Sequence, residues 1–222
     1  MVKKIAFLSL ILSLFGSGAR GEAPPSAEKP PGVGRDGKGT VRLEEMRITG
    51  SPEHPGVLVF LPRPRSRGER FPVLLELLPY RKDDSFYLRD YPLYSYFARR
   101  GFACVKVDLR GTGASEGEAP EREYSERELD DAVDLIGRLA REPWSNGNVG
   151  MWGISWGGFN AIQVAMRQPP ALKAILAAHA SDNVFEDSVD YVDGALHVDP
   201  YHLQIHSENG LLGMGPFPYA DQ

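Results

Sequence analysis

Eight consecutive residues, Phe71-Pro72-Val73-Leu74-Leu75-Glu76-Leu77-Leu78, are apolar but for one glutamate. Such a run suits a strand covered on both faces, the situation of a central strand in a parallel sheet. Residues 102–107 read as a further strand of this kind, and residues 148–154 and 172–178 as strands too. Helical stretches separate them. Residues 91–100 can form a helix ended by Gly101. In residues 123–141, Leu129, Val133, Ile136 and Leu139 recur at helical spacing, with acids toward the start and arginines toward the end. Pro143 stops this helix, Asn146-Gly147 reads as a turn, and residues 156–167 form the next helix. Strands alternating with helices give an α/β fold, a mostly parallel sheet with helices on both faces. Residues 41–49 and 56–61 add two strands joined by Gly50-Ser51-Pro52, and the basic, Pro-rich segment 62–70 is a loop.

The ends of the chain differ from this middle. Lys3 and Lys4 precede an apolar run, residues 5–15, too short to span a bilayer, and Ser17 and Ala19 are spaced for signal peptidase. Residues 1–21 therefore read as a signal peptide, cut after Ala19, with Gly21 or Ala23 as alternatives, and the mature protein is expected in the periplasm or outside the cell. Retention as an uncleaved anchor is the competing reading. No cysteine stands directly after the apolar run, so a lipid anchor is not expected. Residues 22–40, rich in Pro and Gly, read as a flexible linker. The region 41–180 carries the sheet. Residues 181–222 show no apolar run and read as short helices and loops outside it. The last strand, 172–178, is then expected to be a sheet edge with uncovered apolar faces, and a poorly soluble one in isolation.

Composition narrows the function classes. A net charge of −5 supplies no basic surface for nucleic acid. The single cysteine, Cys104, lies in an apolar strand and reads as a buried hydrophobe, which leaves neither a disulfide nor a cysteine-based metal site. The histidines are His54, His179, His197, His202 and His206. His202 and His206 would share a helix face, but two ligands rarely hold a metal, so these read as surface residues. His179 follows the last strand, at an edge where ligand sites gather. No cofactor is implied.

Gly153-Ile154-Ser155-Trp156-Gly157 carries the chemistry. The pattern alone is common. A strand before it and a helix after it make it a strand–turn–helix elbow that presents Ser155 as a nucleophile, with helix N–H groups aimed at a developing oxyanion. A serine that merely caps the helix is the competing reading. Tyr80 lies just past the strand 71–78 and by position alone reads as a surface aromatic. The loop Asp108-Leu109-Arg110-Gly111-Thr112-Gly113 lacks dinucleotide-binding spacing, and reads as structural, with Asp108 and Arg110 pairing or bracing the site.

Four ordered motifs are shared with a known family. They are Leu78-Pro79-Tyr80-Arg81-Lys82-Asp83, Val107-Asp108-Leu109-Arg110-Gly111-Thr112-Gly113, Pro143-Trp144-Ser145-Asn146-Gly147-Asn148-Val149-Gly150-Met151 and Gly153-Ile154-Ser155-Trp156-Gly157-Gly158, trailed by Ala171-Leu172-Lys173-Ala174-Ile175. On these, the chain resembles the cocaine esterase and X-Pro dipeptidyl-peptidase family of α/β-hydrolases over roughly residues 41–195. The resemblance implies an α/β-hydrolase fold, with residues 181–222 as the start of a helical cap. It implies Ser155 as the acyl-forming nucleophile, Tyr80 as the side-chain oxyanion donor and the Trp156 backbone N–H as its companion. The substrate would be an acyl ester, an amide or a peptide, with no metal or cofactor. The family's acid and base follow the cap, and neither maps onto a residue of this sequence. The alternative is thus a truncated or degenerate chain that binds without turnover.

Overall fold

The computed structural model describes residues 33–34, 41–46, 55–82, 87–120, 122–183, 186, 191–192 and 195–196. The expected signal peptide lies outside them, as do His54, His197, His202 and His206. Nine strands and three helices are described: β1 (Val33–Gly34), β2 (Val41–Met46), β3 (Val57–Pro62), β4 (Phe71–Leu78), α1 (Tyr87–Ala98), β5 (Ala103–Asp108), α2 (Glu126–Arg141), β6 (Ser145–Ile154), α3 (Trp156–Met166), β7 (Leu172–Ala178), β8 (Tyr191–Val192) and β9 (Ala195–Leu196). Seven strands form one sheet in the order β1-β2-β3-β5-β4-β6-β7. Its β5-β4-β6-β7 part is parallel, and β3 pairs antiparallel with both β5 and β2.

Alternation along the strands sends side chains to two cores. Val73, Leu75 and Leu77 of β4 join Leu129, Ile136 and Leu139 of α2 and Ala161 and Val164 of α3. Leu74 faces the other way, toward Phe60, Cys104 and Tyr94 of α1. Helices thus cover both faces, as the apolar runs require. Cys104 is buried, and desolvation pushes its thiol well above the ordinary range. Among the described residues β1 and β7 are the two edge strands of this sheet, and Leu176 on β7 is exposed.

Several boundaries differ from the sequence reading. Helix α1 starts at Tyr87 rather than Tyr91 and holds Pro92 inside it. The added turn carries Arg89 and Asp90, whose side chains are tied to the sheet, and that packing overrides the proline. Asn146-Gly147 is not a separate turn. It is absorbed into β6 as a bulge, with the register to β4 slipping between Phe71↔Ser145 and Val73↔Val149 and Gly147 at φ +87. A strand, β1, lies within the expected linker and pairs with β2, and β8 and β9 pair where no strand was expected.

Helix α2 begins at Glu126, not Glu123, because Ser125 caps it. The Ser125 hydroxyl accepts from the Glu128 backbone N–H at 3.3 Å, and the Glu128 carboxylate accepts from the Ser125 N–H at 2.8 Å. Replacing Ser125 with alanine is expected to cost about 1 kcal/mol of stability, read as a lower urea midpoint at unchanged slope.

Candidate active site

The carboxyl ends of β4, β5, β6 and β7 carry, in order, Tyr80, Asp108, Ser155 and His179. Parallel strands bring their carboxyl ends to one edge of the sheet, and ligands bind there in open α/β sheets. The same edge concentrates unusual backbone. Arg81, Tyr124, Ser155 and His179 all have φ between +50 and +56. Such conformations are held only where the surroundings impose them, and they gather at functional sites.

Ser155 occupies the N-cap position of α3 at φ 54 and ψ −117, and its side chain makes no capping hydrogen bond. A capping serine would spend its hydroxyl on the helix, and Ser155 does not. The turn is instead held through the backbone. The Ser155 N–H donates to the Ala178 carbonyl at 2.9 Å, and its carbonyl accepts from the Phe159 N–H at 3.0 Å. The side chain is exposed. Gly153 makes the geometry possible, because a Cβ there would lie 2.4 Å from the Gly157 backbone.

Trp156 is the first residue of α3, and a helix's first N–H groups have no intrahelical acceptor. They form the positive end of the helix dipole, one residue from the Ser155 hydroxyl. The Trp156 indole packs edge-on to the Tyr80 ring, with centroids 6.1 Å apart, and against Tyr124 at 5.2 Å. The structure therefore brings Tyr80, Trp156 and Ser155 into one neighbourhood. Burial, and then the charge of Glu123, push the Tyr80 phenol up to about 12. It stays protonated at neutral pH and keeps a proton to donate.

Asp108 and Arg110 each reach other parts of the fold. The Asp108 carboxylate accepts the Lys82 N–H at 2.6 Å and the Ala114 N–H at 2.9 Å, so it braces the loops. Arg110 instead makes a two-pronged contact with Asp131 of α2, at 2.6 and 2.5 Å. That pair walls a separate crevice of about 60 Å³, whose lining includes neither Ser155 nor Tyr80. The Ser115 hydroxyl that lines it is taken up by the Asp108 carbonyl and the Gly56 N–H. His179 is exposed, and among the described residues no histidine hydrogen-bonds Ser155.

Two features had no reading from sequence. One is the approach of Glu123 and Tyr124 to the site from the loop before α2; they were read inside the helix, and the Ser125-x-x-Glu128 capping signature could have started it late enough to free them. The other is a buried charge cluster on the α1 face. Glu76 and Lys106 are register partners on β4 and β5. Tyr94 donates to Glu76, Lys106 pairs with Asp90, and Arg89 reaches Glu76 at 3.3 Å and Asp90 at 2.6 Å. Burial raises the Glu76 carboxyl above its ordinary value against the opposing pull of Arg89. The cluster backs onto the elbow, since a Cβ on Gly157 would meet Glu76 and Leu78.

Residues 56–212 match the X-Pro dipeptidyl-peptidase (S15 family). The cocaine esterase of Rhodococcus sp. (strain MB1 Bresler) is 37% identical over 142 residues, covering 64% of this chain and 24% of that protein. A solved alpha-amino acid ester hydrolase is 26% identical with a TM-score of 0.57, over 80% of this chain and 31% of that one. An aminopeptidase from a marine-sediment Thaumarchaeota archaeon shares the fold at 18% identity, with a TM-score of 0.59 over 82% of this chain and 32% of that one. The chain thus spans about a quarter to a third of the length of these proteins. With the match extending over most of its length, this chain belongs to the X-Pro dipeptidyl-peptidase (S15) family.

Proposed function

We propose that Ser155 is the nucleophile of a serine hydrolase that cleaves acyl esters or amide and peptide bonds through an acyl-enzyme. The observation that carries this reading is the uncapped serine at φ 54 on the turn between β6 and α3. Held there by its backbone alone, the hydroxyl is left for chemistry.

In the proposed reaction the Ser155 Oγ bonds to the carbonyl carbon while its proton passes to a base. The carbonyl oxygen becomes an oxyanion, held by the Trp156 backbone N–H and the Tyr80 hydroxyl. Collapse breaks the bond to the alcohol or amine, which leaves with the proton. Water then attacks the acyl-serine, releasing a carboxylic acid and restoring the hydroxyl. No residue of this sequence is assigned as the base or as the acid that orients it. The two lysines and apolar run at the start of the sequence support a reading in which the enzyme is exported.

A fluorophosphonate probe tests this on the full-length protein. The label is expected on tryptic peptide 142–167, which contains Ser155, and is expected to vanish in Ser155→Ala. Label on another peptide, or none, would sink the reading.

A further inference from the structure

The two proposed oxyanion donors come from different elements, Tyr80 after β4 and Trp156 at the head of α3. An oxyanion hole works only if both donors converge on one oxygen, so something must hold the Tyr80 segment against the rest of the edge. Tyr80 sits between two backbone anchors. Before it, the Leu78 carbonyl accepts the Leu109 N–H at 3.0 Å. After it, the Lys82 N–H donates to the Asp108 carboxylate at 2.6 Å. Both anchors come from consecutive residues at the end of β5, and the second is a side chain. Between Tyr80 and Lys82 the chain turns through Arg81 at φ 56, a conformation held only where the surroundings impose it.

The carboxylate is itself enclosed. Asp108 is 2% exposed, and its other oxygen takes the Ala114 N–H at 2.9 Å. Gly113, at φ +52, lets the loop close over it, since a Cβ there would lie 2.3 Å from the Asp108 Oδ2. The Asp108 carbonyl also accepts the Ser115 hydroxyl at 2.7 Å, and that hydroxyl accepts the Gly56 N–H at 2.8 Å. A buried carboxylate with two N–H donors makes short, charge-assisted bonds that leave it little freedom to move.

We infer that Asp108 is a positioning residue for the reaction: its carboxylate holds the Lys82 peptide so that the turn at Arg81 keeps the Tyr80 hydroxyl on the oxyanion. Asp108 touches no reacting atom in this assignment. It acts through Tyr80, and it rests on the hydrolase reading proposed above.

The test is a double-mutant cycle with Tyr80→Phe in the full-length protein, using p-nitrophenyl acetate as the probe. Tyr80→Phe removes one oxyanion donor, for which losses in kcat of about 10²–10³-fold are typical. Asp108→Asn keeps the volume and loses one of the two acceptors. It is expected to lower kcat by about 10-fold with KM within about threefold, and Asp108→Ala to lower it further. In the Tyr80→Phe background the same Asp108 changes should lower kcat by less than about threefold, since the group they position is gone. Equal losses in both backgrounds would overturn the inference and leave Asp108 as a fold-stabilising residue. If the alanine chain does not melt cooperatively, the asparagine cycle decides alone. Ser155→Ala runs alongside: retained activity there sinks the hydrolase reading itself, whereas a dead Ser155→Ala with an additive cycle sinks only the role of Asp108.

Discussion

Alanine at position 155 is expected to lower ester turnover in the full-length protein by about 10⁵–10⁶-fold, the scale of loss when a triad serine is removed. The fold should be indifferent to the change. The Ser155 hydroxyl makes no capping bond, and the backbone bonds to Ala178 and Phe159 survive in alanine. Circular dichroism and the urea midpoint should match the wild type within about 0.5 kcal/mol. Substrate affinity should also persist, because a hydroxyl that attacks contributes little to ground-state binding. A variant retaining more than about 1% of turnover would show that Ser155 is not the nucleophile. A variant that is inactive because it is unfolded would contradict the uncapped geometry.

The second large effect is on stability. Replacing Asp90 with alanine strips the Lys106 ammonium of a carboxylate partner in a place where Lys106 is 1% exposed. Breaking a buried ion pair by deleting one member costs about 3–5 kcal/mol, because the remaining charge stays desolvated. Against a total stability of about 5–15 kcal/mol, that removes at least about a fifth of what holds the domain together. Arg89 also loses a bond, but its side chain is 36% exposed and can turn to water. Joint replacement, Asp90→Leu with Lys106→Met, removes both desolvated charges and should recover most of the loss. Denaturant melts of the single and double variants decide it. A single variant within 1 kcal/mol of wild type would mean that the cluster contributes nothing to the fold.

The sequence was legible wherever one element decided its own fate. Phe71–Leu78 and Leu172–Ala178 were bounded correctly because an apolar run flanked by proline or glycine is a strand in almost any context. The elbow was legible because Gly153, Ser155 and Gly157 leave the chain few other ways to turn. Elements defined by a distant partner were not legible. The bulge at Asn146-Gly147 exists only as a register slip against β4, and β1 exists only because β2 is beside it. The early start of α1 depends on Arg89 and Asp90 finding Glu76 and Lys106 across the sheet face. Read along the chain, Glu76 and Lys106 interrupt two apolar strands; only the register pairs them. The Asp131 partner of Arg110 was not legible either, because it reaches across from a helix 21 residues away. Tyr80 was uninformative by position, and its place became clear from the Trp156 ring against it.

The positive-φ residues at the sheet edge have a consequence for how such a protein can change over time. Arg81, Tyr124, Ser155 and His179 each hold a backbone shape that glycine adopts without strain. A lineage selected only for heat resistance would find relief at these four positions sooner than in the packed interior. Each relief would loosen a turn at the sheet edge where the proposed site lies. Selection for durability and selection for turnover therefore meet at the same few residues and pull them in opposite directions.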